Sequence, residues 1–391
     1  MKNRFLLCIA FAVFFYANFV FAADPHYLRS DWYNAEKAGL PKEEVKSIVI
    51  TNDPDVYEEA AKIANGSLIP VDDTDEDINV SDTTDETVEI GRNRNEKTKL
   101  PYWDLDGRGL IAFVRDEAQV VISFPEEDAL KLSRFAEGSF SFCKYIQNDD
   151  YELDEYDERK DHVRPESEID NEFYETDLIS KLEYIEGFEL IDTSDVANMS
   201  RLFYGDLNLE QVNLSHMETK NVENMSRMFE YCFHLLNIDV STFNTSLVTN
   251  FNSMFKSCRQ LRTLDLGFWD TSNATSMSFM FHDCQNLKYV KLGNMNTENV
   301  QFMSYMFSGC QNLSTLDLSF LNTKSLRSAR SMFENCKNLK ILSISARLGR
   351  FGSDLRLFGV WKNMLDGSIY NYELVADKKV QLGTGLYFRI A

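Results

Sequence analysis

The sequence predicts an α/β solenoid in which every 26-residue repeat contributes one short parallel strand and one short helix. The first observation behind this prediction is a fixed period. Cysteines recur every 26 residues, and Phe, Leu, Met and Thr recur with the same period, with no insertion or deletion from about residue 188 to 345. Positions 26 residues apart are called a column below, and the clearest column contains Cys232, Cys258, Cys284, Cys310 and Cys336. A period of this length is typical of stacked coils.

The second observation is that each repeat has two halves with different hydrophobic patterns. Residues 261–266 alternate apolar and other side chains, which predicts a short strand with one buried side. Residues 248–255 place apolar side chains three or four positions apart, as on one face of a short helix. Thr245 or Ser246 is suited to cap the start of that helix. Such a unit cannot bury its apolar face alone, so stacked copies are expected to form the core.

The repeat motif is specific enough to compare with a known family. One copy reads Met254-Phe255-x-x-Cys258-x-x-Leu261-x-x-Leu264-Asp265-Leu266-x-x-Trp269-Asp270-Thr271-Ser272. This motif resembles the repeat of BspA-like leucine-rich-repeat surface proteins of bacteria, and residues 185–199 resemble that family's entry into its first repeat. The resemblance covers about 160 residues. It implies a secreted or cell-surface protein, often assigned to adhesion or binding, with no catalytic residues to carry over.

The N-terminus has the pattern of a secretory signal peptide over residues 1–22. Lys2 and Arg4 precede an apolar run, and Ala22 is a small residue at the expected cleavage position. An uncleaved anchor is the alternative, but a membrane span needs about 18 or more apolar residues. We therefore expect cleavage after Ala22, a secreted or cell-surface location, and no transmembrane span in the mature chain.

The rest of the chain divides around the repeats. Residues 23–147 predict a small, partly ordered α/β domain with an acidic loop, including a strand at 47–51 and a hairpin over 110–124. Residues 148–180 predict an acidic linker, because Asp and Glu greatly outnumber Lys and Arg there. The last two segments are the solenoid at 181–345 and a C-terminal cap of short strands at 346–391.

Charge and motifs limit the classes of function. The formal net charge of −22 argues against binding nucleic acid, which requires a basic surface. None of the five histidines lies in a His-Glu-x-x-His motif, and no Gly-x-Ser-x-Gly, P-loop or Gly-x-Gly-x-x-Gly pattern occurs. We therefore expect a protein that is not an enzyme and that has no cofactor and no metal site.

The cysteine column has three interpretations. Equivalent residues of neighbouring coils lie about 4.8 Å apart with parallel side chains, a poor geometry for a disulfide. One thiol per coil does not close a tetrahedral metal site. A structural ladder of buried thiols is therefore favoured, with one or two disulfides or a metal site as alternatives.

The strand face is the predicted binding surface, because residues between the buried leucines point away from the core. The candidate residues are Asn213, Asp239, Asp265, Lys291 and Asp317, with Thr263, Tyr289 and Thr315 beside them. The structural interpretation is that this face is solvated and binds no partner. The functional interpretation is an adhesin-like protein that binds a protein or glycan on a host, a neighbouring cell or a matrix. The alternatives are a secreted enzyme or enzyme subunit, with its site in the N-terminal domain, and a self-assembling surface-layer component.

Overall fold

The computed structural model describes residues 26–64, 102–145, 178–344, 355–371 and 385–390, apart from gaps at 30, 34, 36–39, 106–109, 116–117, 126–128, 138, 143, 294 and 358. The predicted signal peptide, the acidic loop and most of the acidic linker lie outside the described residues. In the described ranges, no helix has both the length and the apolar composition that crossing a bilayer requires.

The N-terminal segment, which runs into the first repeat, contains in its described residues ten strands in three separate sheets and one helix. Its strands are β1 (His26–Leu28), β2 (Ser47–Thr51), β3 (Tyr102–Asp104), β4 (Ile111–Arg115), β5 (Gln119–Ser123), β6 (Leu130–Leu132), β7 (Lys144–Tyr145), β8 (Leu178–Ile179), β9 (Tyr184–Glu186) and β10 (Ile191–Asp192). The predicted strand at 47–51 and the predicted hairpin, formed by β4 and β5, are confirmed. Helix α1 (Pro54–Ala64) packs Ala60 and Ile63 against the sheet that contains β4 and β5.

The N-terminal segment shares its core with the first repeat. Strand β2 pairs in parallel with β9 in one sheet, and β6 pairs in parallel with β10 in another, so both sheets continue into the first repeat. The ring centroids of Phe140 and Phe188 are 5.2 Å apart, and those of Phe188 and Phe203 are 5.5 Å apart. The N-terminal segment therefore covers the open end of the stack with apolar side chains.

Successive repeats stack as parallel coils. The strands of the repeats are β11 (Gln211–Val212), β12 (Thr263–Asp265), β13 (Tyr289–Lys291), β14 (Thr315–Leu318) and β15 (Ile341–Ile344). Strand β12 pairs in parallel with β13, and β14 pairs in parallel with β15. A second line of parallel single-residue bridges joins Asn198, Asn224, Asn250, Ser276, Phe302 and Ser328. Every step in both lines is one 26-residue repeat.

The prediction of one helix per repeat, and with it the α/β solenoid class, is wrong. The described residues contain a single α-helix, α1, and it lies before the repeats. Residues 252–257 form successive turns, in which Ser253 and Ser257 have left-handed φ values of 55° and 60°. The N–H of Phe255 donates to the carbonyl oxygen of Met280 in the next coil, at 3.0 Å. An α-helix needs right-handed residues throughout and bonds that stay within the segment, so this backbone cannot be helical.

Three-residue turns explain the apolar spacing that suggested a helix. The N–H of Met254 donates to the carbonyl of Phe251, and the N–H of Cys258 donates to that of Phe255. These bonds span three residues, so they bring apolar side chains three positions apart to one side, as a helix does. Left-handed φ values recur down the first turn column at Arg201, Arg227, Ser253, Phe279, Tyr305 and Ser331. The turn is therefore a property of every repeat.

Buried side chains connect each coil to the next. The hydroxyl of Thr271 donates to the carbonyl of Asn296 at 2.9 Å, 25 residues further along the chain. The same bond is made by Thr193, Thr219, Thr245 and Thr297. The rings of Phe229 and Phe255 stack with centroids 5.6 Å apart, in a column that runs from Phe203 to Phe333. These contacts satisfy polar groups and fill the core at the same time.

A C-terminal sheet closes the other end of the stack. Its strands are β16 (Val360–Asn363), β17 (Ile369–Asn371) and β18 (Gly385–Arg389). Strand β18 lies antiparallel to β15, and the order across the sheet is β14–β15–β18–β16–β17. Trp361 of β16 and Tyr387 of β18 are fully buried on the inner side of this sheet. The change from parallel to antiparallel pairing ends the series of coils.

We expect Gly187→Ala to destabilise the junction between β9 and β2. Gly187 has a φ of 77°, and a Cβ atom there would collide with the carbonyl oxygen of Ile50. Gly367 is the matched control, because its φ is 76° but nothing lies within 4 Å of its Cβ position. Gly367→Ala should cost about 1–2 kcal/mol from backbone strain alone, and Gly187→Ala clearly more. Urea denaturation measures both, and equal losses would contradict this account of the junction.

Candidate binding face

Strands β12 and β13 bring four of the predicted site residues together. Thr263 lies opposite Tyr289, and Asp265 lies opposite Lys291, with the side chains of all four residues exposed. The Lys291 Nζ donates to the Asp265 Oδ2 at 2.9 Å. This hydrogen bond, followed by one from the N–H of Gly267, lowers the pKa of Asp265. The face therefore presents a paired carboxylate and ammonium beside a hydroxyl and an aromatic ring.

The other predicted site residues are more widely spread. Thr315 and Asp317 lie in β14, opposite Ile341 and Ser343 of β15. Asn213 follows β11, and its Nδ2 lies 3.4 Å from the Glu189 Oε2. Asp239 lies in a coil that forms no strand within the described residues. The predicted row is therefore a set of separate exposed positions, with one compact group on β12 and β13.

The acidic residues of the row have a structural role that the sequence analysis missed. The Asp265 Oδ1 accepts the N–H of Gly267 at 2.8 Å, and the Asp317 Oδ1 accepts the N–H of Ser319 at 2.9 Å. Asn213 and Asp239 accept the N–H two residues ahead in the same way. Asp and Asn favour this turn because their short side chains reach the backbone there. The turn thus accounts for their recurrence without a partner.

Phe268 is a further residue of this face that the sequence analysis did not identify. It is 73% exposed, the highest value among the large apolar side chains of the described residues. The Lys291 Nζ lies 5.5 Å from its ring centroid, within the range of a cation–π contact. The next residue, Trp269, is buried and donates its Nε1–H to the carbonyl of Val240. The sequence signal for an exposed ring here was the adjacent pair Phe268 and Trp269, in which one ring is buried and the other is left exposed.

A second cluster of charged and aromatic side chains lies on the turns. The Lys256 Nζ donates to the Glu230 Oε1 at 2.8 Å and to the Tyr231 hydroxyl at 3.0 Å. Burial lowers the pKa of Lys256, but Glu230 and Tyr231 more than offset this and leave the pKa above its usual value. Burial, followed by the Lys256 charge, lowers the pKa of His282 to about 4. This cluster holds a buried ion pair, in which the second carboxylate oxygen of Glu230 has no hydrogen-bond partner among the described residues, beside a neutral imidazole.

The five cysteines of the column are buried and free in the structure. Each thiol lies 3.0–3.2 Å from the carbonyl oxygen of a phenylalanine 29 residues earlier, as in Cys258 to Phe229. Burial raises the pKa of Cys284, and it raises that of Cys336 to about 12. Thiols of this kind are poor nucleophiles. Within the described residues, no group of three or more His, Cys, Asp or Glu could hold a metal ion.

Asp206 replaces cysteine in the first repeat and is fully buried. Its Oδ1 accepts the N–H of Phe142 at 2.7 Å and the Ser180 hydroxyl at 3.4 Å. Its Oδ2 has no hydrogen-bond partner among the described residues. Burial raises the pKa of Asp206 well above its usual value, although these hydrogen bonds and the charge of Lys42 oppose the shift. The carboxyl group therefore joins the N-terminal segment to the stack and favours its neutral form.

The chain is similar to one family over its repeats. The family described as "Mycoplasma protein of unknown function, DUF285" matches residues 168–265 and, in an overlapping second match, residues 256–345. No curated protein and no solved structure matches the chain. The two matched ranges include the whole strand face and the cysteine column, and the family's description assigns no function to either.

We expect Asp206→Asn to change how stability depends on pH. The raised pKa means that the folded chain holds this proton more tightly than the unfolded chain. The contribution of Asp206 to stability is therefore fully present below about pH 4 and is lost as the pH rises through the folded-state pKa. The amide introduced by this substitution cannot titrate, so the variant should gain stability relative to the natural chain as the pH rises. Urea denaturation across this range measures the difference, and a difference independent of pH would contradict the assignment.

Proposed function

We propose that this chain is a secreted or cell-surface binding protein that contacts a macromolecular partner through its strand face. The strand face is defined here as Thr263, Asp265, Phe268, Tyr289, Lys291, Thr315 and Asp317. The observation that carries the proposal is the group on β12 and β13, in which Phe268 and half-exposed Tyr289 accompany the Asp265–Lys291 pair. Exposed aromatic rings supply much of the binding energy of protein interfaces.

The rigidity of the backbone supports the same proposal. The strands of this face are hydrogen-bonded to their neighbours, and the turns after β12 and β14 are held by Asp265 and Asp317. A preformed surface loses little conformational entropy when it binds. Stacked coils also provide an extended surface suited to a large partner. The resemblance to BspA-like surface proteins and the predicted signal peptide favour an extracellular partner.

The chemistry of the face favours a protein or a glycan as the partner. Asp265 and Lys291 present opposite charges side by side, so the group has no strong preference for a polyanion or a polycation. Aromatic rings next to threonine hydroxyls suit the mixed apolar and polar surface of a protein chain or a sugar. We propose no enzymatic activity, because the contacts of this face serve packing, turn formation and surface pairing.

The proposal is tested by capture of cell-surface and extracellular proteins with the chain from Ala23 onward, followed by titration of the captured partner. Phe268→Ser together with Tyr289→Ser should weaken binding at least about tenfold, because exposed aromatic rings are common hot spots of interfaces and both changes remove one. Asp265→Asn removes the charge but keeps an oxygen for the N–H of Gly267, so it separates pairing from turn formation.

Leu247→Ser is the matched control, since Leu247 is also exposed but lies outside the strand face. A partner that the natural chain and the control bind equally, and that the double serine variant loses, would support the proposal. Equal binding by all three chains would place the site elsewhere and overturn it.

A further inference from the structure

Five of the fourteen large apolar side chains that are exposed among the described residues lie on or beside the C-terminal sheet. The exposed fractions of these five side chains are 52% for Met364, 70% for Leu365, 61% for Ile369, 37% for Leu386 and 53% for Ile390. Exposed apolar residues are ordinary when scattered singly, but a cluster marks an interaction site. The cluster is called the cap patch below.

Strand register brings the cap patch together. Ile341 lies opposite Phe388, Phe388 lies opposite Lys362, and Lys362 lies opposite Ile369, so one row crosses four strands. Directly opposed residues on one face of a sheet have Cβ atoms about 5 Å apart. The N–H of Met364 donates to the carbonyl of Leu386 at 2.9 Å, which places the hairpin tip at one end of this row. Leu386, two residues before Phe388 in β18, faces the same side of the sheet, so Ile369 lies in this row and Leu386 lies beside it.

The tip of the hairpin between β16 and β17 holds its apolar side chains outward. The Asn363 Oδ1 accepts the N–H of Leu365, and the Asp366 Oδ1 accepts the N–H of Ser368, both at 2.9 Å. Gly367 supplies the left-handed residue of the turn, with a φ of 76°. The backbone at the tip is thus fixed, and it leaves Met364 and Leu365 facing solvent.

Positive charge accompanies the cap patch. Lys362 lies within the apolar row, and the exposed residues Lys337 and Lys340 lie at its rim, where the Arg389 N–H donates to the carbonyl of Lys340. Within the described ranges, none of these three lysines forms an ion pair with a carboxylate. Residues 258–391 contain sixteen Lys and Arg against ten Asp and Glu, although the whole chain has a net charge of −22. The C-terminal part is therefore locally basic in a strongly acidic chain.

We propose that the cap patch binds the surface of an anionic lipid bilayer. Met364 and Leu365 enter the boundary between headgroups and acyl chains, while the three lysines contact lipid phosphates. An apolar surface with lysines around it is the pattern of interfacial membrane binding. The acidic excess elsewhere does not prevent this, because charges are screened beyond about 8 Å at physiological ionic strength. A protein partner is less favoured, since none of the five patch side chains is the Trp, Tyr or Arg that dominates protein interfaces, and Arg389 beside them donates to the carbonyl of Lys337.

The test is flotation of the chain from Ala23 onward with vesicles, one set of phosphatidylcholine alone and one of an equal mixture with phosphatidylserine. We expect binding to the anionic vesicles that weakens with added salt. Met364→Ser with Leu365→Ser should weaken it at least about tenfold, because the apolar area leaves water only on binding. Changing Lys337, Lys340 and Lys362 to Gln should weaken it roughly fivefold for each charge removed.

Two controls use exposed residues of the repeats: Leu247→Ser for the apolar variant, and Lys220→Gln with Lys324→Gln for the basic one. Both controls should bind as the natural chain does. Failure of the natural chain to float at low salt would overturn the proposal, as would binding unaffected by either cap variant. Self-association that the Met364 and Leu365 changes abolish, without vesicle binding, would assign the patch to a second copy. The strand-face variants leave the cap patch intact, so the two proposals fail independently.

Discussion

Backbone hydrogen bonds between successive coils are the interaction on which the other features of the repeats depend. The N–H of Phe229 reaches the carbonyl of Met254, and the N–H of Phe255 reaches that of Met280, so each coil is a template for the next. One residue more or less in a single repeat would leave these donors and acceptors unpaired in a buried position, which is costly. The constant 26-residue period follows from this constraint.

The same constraint separates the columns that can vary from those that cannot. Buried columns repeat because each thiol, hydroxyl or ring must meet the same kind of partner group in the neighbouring coil, as Thr271 meets the carbonyl of Asn296. Exposed columns have no such requirement, so Thr263 is followed by Tyr289, and Asp265 by Lys291. Binding specificity can arise only where the columns vary. The strand face consists of such residues, whereas the cap patch lies after the last repeat and is free of this constraint.

The sequence predicts the period, the strands of the repeats and the N-terminal hairpin, because these leave alternating or recurring apolar patterns. It does not predict the turns, because a three-residue turn and a helix give the same spacing in residues 248–255. The first left-handed column carries no common residue type, since Ser253, Phe279 and Tyr305 all occupy it. The turn-forming role of Asp265 and Asp317 could have been predicted, however. Each is followed two residues later by Gly267 or Ser319, a pattern typical of turns.

Scalar couplings across hydrogen bonds, measured by NMR on the deuterated chain, test the stacking of coils most directly. Stacked coils should give a coupling between the amide nitrogen of Phe229 and the carbonyl carbon of Met254. They should give a second one between the amide nitrogen of Phe255 and the carbonyl carbon of Met280, because each pair shares a hydrogen bond. Couplings from the same nitrogens to carbonyls four residues earlier would indicate a helix in each repeat. That result would contradict the account and restore the α/β solenoid.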